Sequence, residues 1–302
     1  MVRAPYPLTQ TMSTPAAQEP FLTAPELPDG IEPRRAARWR PWTSVIALIA
    51  ALCAALFGAL VIGVLAVPFG ADITDPPPAV SITATIFQDI CLIGSALLFA
   101  RMSGPVRPWH FGLRPTRLWP AVGWMLLTWA SFYLFTGAWI TIIGANPSDD
   151  QITKQLGVDD STTAMLAVAF LVAVAAPVAE EFFFRGFFFN ALRNWRGVWP
   201  AAIITGLVFG SIHGSSSDVA FLLPLAFFGF ALCMLYVRTG SLYPCIALHC
   251  ANNAVAFGAT QDWTWQIPVL FACALTVIGL AALAVRRVWA PRAPAPAPAP
   301  AT

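Results

Sequence analysis

The sequence predicts an all-α polytopic membrane protein, a bundle of about eight transmembrane helices around a buried polar chamber. Three observations predict it. Only 11% of the 302 residues are charged while 58% are apolar, against roughly 25% charged in a soluble globular chain. The apolar residues fall into runs of about 20, the length that crosses a hydrocarbon core of roughly 30 Å. The loops between these runs alternate in charge sign. A net charge of +2 shared between both signs supplies no basic field, which excludes nucleic acid as a partner.

Residues 1–42 are rich in proline and polar side chains and end in Arg34, Arg35, Arg38 and Arg40, so they read as a disordered cytoplasmic tail. The apolar run that follows is long and starts late, which favours an uncleaved first span over a secretory signal. Spans are expected at 43–69, 79–100, 119–144, 163–192, 199–214, 218–237, 241–258 and 267–289, the fifth and seventh short enough to need supporting neighbours. Residues 43–289 thus form one intramembrane domain. Residues 290–302 are an alanine–proline repeat, extended and solvated.

Lysine and arginine favour the cytoplasmic side of short loops, and the count of eight obeys this rule. Arg101, Arg107, Arg114 and Arg117, then Arg193 and Arg196, then Arg238, then Arg286, Arg287 and Arg292 fall on the side of the N-terminal tail. Asp72 and Asp75, then Asp149, Asp150, Asp159 and Asp160 with Lys154, then Asp218 and Asp262, fall on the other. Both termini are therefore expected in the cytoplasm, and the chain in the cytoplasmic membrane. Trp39, Trp42, Trp109, Trp119, Trp195, Trp199 and Trp289 lie near the same interface, where amphipathic rings are favoured. Cys53, Cys91, Cys233, Cys245, Cys250 and Cys273 all sit in apolar runs without a Cys-x-x-Cys pair, and read as small hydrophobes.

Six ionisable residues remain inside the spans: Asp89, Glu180, Glu181, Arg185, His213 and His249. A charge at mid-bilayer costs about 2.5–3.5 kcal/mol even on the lenient insertion scale, so such groups face a protein interior or a water-filled cavity. Counted from the cytoplasmic ends at about 1.5 Å per residue, Glu180 and His213 lie about 20 Å deep, and His249 and Asn253 about 12 and 18 Å. One polar chamber can hold them all. Residues four apart share a helix face, so Glu181 and Arg185 read as an ion pair that leaves Glu180 rotated towards the chamber. Phe209 and His213 share one face, His249 and Asn253 another. Asp89, beside Gln88 and outside any motif, reads as a structural hydrogen-bond partner, and His110 as interfacial.

At these positions the chain resembles the intramembrane CPBP proteases of the ABI family, which include type II CAAX prenyl endopeptidases and bacteriocin-processing or immunity proteins. Glu180-Glu181-Phe182-Phe183-Phe184-Arg185 is similar to Glu-Glu-x-x-x-Arg, Phe209 to His213 to Phe-x-x-x-His, and His249 to Asn253 to His-x-x-x-Asn. The three motifs occur in family order within residues 163–258. The resemblance implies a membrane-embedded protease that hydrolyses a peptide bond of a membrane-associated protein or peptide, as in CAAX-type or bacteriocin-like processing. Glu180 would be the general base and His213 would hold the water, with His249 and Asn253 as oxyanion donors and Glu181, Arg185 and Phe209 in support. The expected partners are that substrate and the lipid bilayer.

No cofactor is fixed by these residues. A divalent metal such as zinc, held by Glu180, His213 and His249, is the alternative, since one carboxylate and two imidazoles make an open three-ligand site. The chain has no His-Glu-x-x-His helix, and glutamate with water is preferred. Other readings stay open. A catalytically silent immunity or scaffold protein would keep the same motifs. A proton-coupled transporter would use the same groups, without the internal repeat that transporters show. Cys245 and His249, four apart, admit a cysteine nucleophile with its base, although membrane cysteines are more often packing.

Overall fold

The structure, a computed structural model, describes residues 37, 39–144, 158, 161–215 and 217–289. The N-terminal tail up to residue 36 with Arg34 and Arg35, Arg38, the loop residues Asp149, Asp150, Lys154, Asp159 and Asp160, and residues 290–302 with Arg292 lie outside the described residues, as does the side chain of Trp289.

The described residues contain eight helices and no strand. They are α1 (Pro41–Ala66), α2 (Pro78–Arg101), α3 (Leu118–Ile143), α4 (Thr162–Arg196), α5 (Val198–Ile212), α6 (Val219–Thr239), α7 (Tyr243–Thr260) and α8 (Gln266–Trp289). The protein is an all-helical, multi-pass membrane bundle, as its composition predicts. Proline opens α1, α2 and α7, where its missing N–H is no loss. Ser161 Oγ accepts from the Ala164 amide (3.1 Å) at the start of α4, and Asp218 from Ala220 (2.7 Å) at the start of α6.

Six of the eight helices are long and apolar enough to cross a bilayer. The other two are the fifth and seventh, the pair expected to need neighbours. Helix α5 has 15 residues, about 22 Å at about 1.5 Å per residue, short of a core of roughly 30 Å. Helix α7 carries His249, Asn252 and Asn253, which lower its hydropathy. Neighbours supply what these two lack. Helix α7 is enclosed by α3, α4, α6 and α8, and α5 lies along α6.

Helices α4, α6 and α7 form the centre, while α3 and α8 turn most of their surface outwards. Phe183, Phe184, Phe187, Phe188 and Phe189 of α4 are completely or almost completely buried, whereas Leu56 of α1 and Leu134 of α3 point outwards at 73% and 75% exposure. Outward leucine has no penalty in lipid, so burial here marks packing between helices rather than escape from water.

The α5–α6 contact depends on Gly206 and Gly210. A Cβ on Gly206 would lie 2.5 Å from the Ala226 carbonyl oxygen, and one on Gly210 2.5 Å from that of Leu222. This small-xxx-small spacing lets the two backbones touch, and it brings Phe209 and His213 against the bundle centre.

Candidate active site

The site is built on an irregular helix. Within α4, residues Leu171–Ala175 and Phe182–Phe188 form π-helical turns on either side of Ala176–Glu181. The first has a covalent cause. In its i→i+5 pattern the Ala176 amide bonds the Leu171 carbonyl, so the Val172 carbonyl falls to residue 177, a proline with no N–H. The Asn253 side chain replaces that donor from α7, its Nδ2 donating to Val172 O at 3.0 Å. In the second π turn Asn190 does similar work: its Nδ2 lies 3.0 Å from the carbonyls of both Arg185 and Gly186 and from the Tyr236 hydroxyl. Single π turns inside α-helices occur frequently at functional sites.

Between the two turns lie the adjacent carboxylates. Glu181 is wholly buried and its Oε1 accepts two bonds, from Arg185 Nη1 (2.6 Å) and from His249 Nδ1 (2.8 Å). Arg185, also fully buried, donates through Nη2 to the Gly229 carbonyl (3.0 Å) and lies over the Phe209 ring, 4.6 Å from its centroid. The Glu181–Arg185 ion pair anticipated from four-residue spacing is thus present, and its carboxylate also orients a histidine from another helix.

Glu180 is set differently. Its side chain keeps 16% exposure, and its buried Oε2 makes no hydrogen bond while standing 3.9 Å from His249 Nε2. A carboxylate only accepts, so His249 carries its hydrogen on Nδ1 against Glu181 and turns Nε2 towards Glu180. Phe209 and Phe228 hold the imidazole edge-on, with ring centroids 5.9 and 5.4 Å away.

His213 ends α5, where the helix tightens into the 3₁₀ turn His213–Ser215. Its Nδ1 is 2.7 Å from the Phe209 carbonyl, an acceptor, so Nδ1 is the donor and Nε2 the acceptor nitrogen. The Phe209 ring touches His213 (4.8 Å), His249 and Arg185. One aromatic side chain therefore joins all three motifs. Asn253 meets them through the backbone of α4 instead, its amide engaged by Val172.

Among the described residues no three His, Cys, Asp or Glu side chains gather as a metal-ligand set. Cys245 directs its thiol at the carbonyls of Leu232 (3.5 Å) and Ser241 (3.9 Å), as a packing cysteine does.

Three features were missed or misjudged in the sequence. Asp89 differs from expectation: it is buried, and neither carboxylate oxygen has a hydrogen-bond partner. The contact of Phe228 with His249 leaves no sequence signal. The link from Val172 to Asn253 had one, Pro177, a helix breaker three residues before Glu180.

That link makes a prediction. Asn253→Ala strands a carbonyl within the membrane, which costs roughly 1–3 kcal/mol. The expected result is a lower midpoint of thermal or denaturant unfolding in micelles. An unchanged midpoint would show that Val172 finds another donor.

Comparison with known proteins places this site in a recognised segment. Residues 162–255 match the family model described as "Type II CAAX prenyl endopeptidase Rce1-like". An "Uncharacterized 24.3 kDa protein" of Escherichia coli is 30% identical over 108 residues, 35% of this chain and 49% of that one. A protein of Bacillus subtilis (strain 168) named "Putative membrane peptidase YdiL" is 28% identical over 112 residues, 37% of this chain and 43% of that one. The chain spans less than half the length of either curated relative. No solved structure matches it.

Proposed function

We propose, starting from an Rce1-like segment that contains all three motifs, that this membrane protein is an endopeptidase. In this reading it hydrolyses a peptide bond of a membrane-associated protein or peptide with water activated by Glu180. One observation carries the proposal. Glu181 Oε1 is engaged by both Arg185 and His249, whereas Glu180 keeps 16% exposure with its Oε2 3.9 Å from His249 Nε2; each glutamate has an Oε2 without a hydrogen bond.

In this reading the chain's own groups carry the chemistry. Glu180 takes a proton from water as the hydroxide oxygen bonds to the substrate carbonyl carbon. His213, with Nδ1 committed to a carbonyl, accepts the water's second hydrogen at Nε2 and fixes the direction of attack. His249 is oriented through Nδ1 by the Glu181 carboxylate, and in its doubly protonated form its Nε2–H donates to the oxyanion. The second amide hydrogen of Asn253 is the companion donor. When the carbon–nitrogen bond breaks, Glu180 returns its proton to the leaving amine.

The substrate must present an extended or unwound segment, because an intact helix hides its amides. A lipidated C-terminal peptide of CAAX type, or a bacteriocin-like leader, meets that need. In this reading both termini lie in the cytoplasm; the closing of even-numbered helices by Arg101, Arg193, Arg196, Arg238, Arg286 and Arg287 supports it, since basic residues favour that side.

The test is to reconstitute the protein in vesicles, supply membrane-anchored peptides with and without a C-terminal lipid, and sequence new termini by mass spectrometry. Wild-type protein should cut, and His249→Ala should reduce kcat about 10²–10³-fold, the usual cost of one oxyanion donor. Equal cutting by both proteins would overturn the assignment.

A further inference from the structure

Helices α3 and α8 both pack on α7, and between them lies a recess of about 270 Å³ with α7 as its floor. Met125 and Trp129 of α3, Leu248 and Ala251 of α7 and Phe271 of α8 are among the residues that line it. Leu248 at the floor is only 2% exposed, while Leu126 at the edge is 60% exposed and continues into the outward face of α3. The recess is therefore walled by three helices and open on the side that faces lipid.

Its chemistry excludes most occupants. The only side-chain N–H among the lining residues is the Trp129 indole, and it already donates to Asn252 Oδ1 at 3.3 Å. A polar ligand finds no partner here, and water does not settle in an apolar cavity. Size excludes a helix, since one turn about 10 Å across and 5.4 Å high fills roughly 420 Å³. Depth excludes a headgroup, because Trp129 lies about 16 Å along α3 from Leu118, near the middle of a hydrocarbon core of roughly 30 Å. An empty recess would forfeit the dispersion contacts of its lining, and the medium at its mouth is hydrocarbon. We propose that the recess between α3, α7 and α8 is a binding site for one acyl chain of a bilayer phospholipid. The chain packs on the Trp129 indole, whose bond to Asn252 reaches the turn of α7 that carries His249 and Asn253. The occupant thus backs the helix on which the candidate site depends.

The proposal stands apart from the protease reading, and its test needs no substrate. The whole chain is reconstituted in phosphatidylcholine vesicles doped with phosphatidylcholine that carries a photoreactive diazirine partway along one acyl chain. After illumination, adducts are mapped by tandem mass spectrometry. They are expected on Leu248 and Ala251 of the floor as well as on the outward-facing Leu134 and Leu280. Ala251→Trp fills the recess, so it should lose the α7 adducts while keeping those on Leu134. Phe271→Ala widens the recess and should strengthen the α7 adducts, which tests the same site should the tryptophan variant fail to fold. Wild-type labelling confined to Leu134 and Leu280 overturns the proposal, as does undiminished α7 labelling in folded Ala251→Trp. So does α7 labelling that requires the photoreactive chain to be attached to a peptide, which would make the recess part of a substrate site.

Discussion

Glu180→Gln lowers kcat for peptide hydrolysis by about 10²–10⁴-fold, the range that a positioned general base contributes, and leaves the unfolding midpoint nearly unchanged. The substitution keeps size and polarity and removes only basicity. Its structural neutrality follows from the geometry, because Glu180 Oε2 has no hydrogen bond to lose and the side chain is partly exposed. The neighbouring carboxylate behaves oppositely. Glu181→Gln disturbs contacts to both Arg185 and His249, so it should reduce stability and rate together. Steady-state kinetics and thermal unfolding on the same two variants distinguish the roles of two adjacent glutamates. A Glu180→Gln protein that unfolds early but cuts normally would reverse the assignment.

Arg185→Leu carries the largest expected effect on stability, about 3–5 kcal/mol, the cost of removing one partner from a buried ion pair. Arg185 and Glu181 are both fully buried, and the mutation leaves the carboxylate with only His249. The Phe209 ring and the Gly229 carbonyl also lose the guanidinium. The double variant Glu181→Leu with Arg185→Leu should recover much of that loss, since a buried pair replaced by apolar residues is often neutral or better. Activity should not return. Without Glu181 Oε1 the His249 Nδ1 has no acceptor, and nothing fixes Nε2 towards Glu180. Unfolding midpoints and kcat for the two variants check this, and a double variant no more stable than the single one would show that shape, not charge, is what the pair supplies.

The fold was legible because lipid imposes a simple rule on sequence, long apolar runs interrupted by signed loops. Eight helices fall where the eight runs do, the fifth weak by its length and the seventh by the polar His249, Asn252 and Asn253 it carries. Side-chain facing is legible at short range, as for Glu181 with Arg185, whose four-residue spacing survives the π turn Phe182–Phe188 as an ion pair. What stayed hidden depends on departures from regularity or on contacts between distant segments. The π turns around Glu180 and Glu181 shift the angular positions of side chains beyond them, so a uniform 100° step could not show that His249 bridges towards both carboxylates. Helix spacing makes Asn253 a companion of His249, but the proline at 177 gives its amide a backbone carbonyl on α4. Asp89 carries no motif. Its missing partners are visible only once α2 is packed against α4.

The most direct measurement of the central claim, that water activated beside Glu180 breaks a peptide bond in a membrane-associated chain, is cleavage in water enriched in heavy oxygen. Reconstituted wild-type protein should release a product whose new carboxyl group carries one heavy oxygen atom, while Glu180→Gln, equally folded, should release almost none. Labelled product formed at the same rate by both proteins, or no product from the wild type with any membrane-anchored peptide, would contradict it.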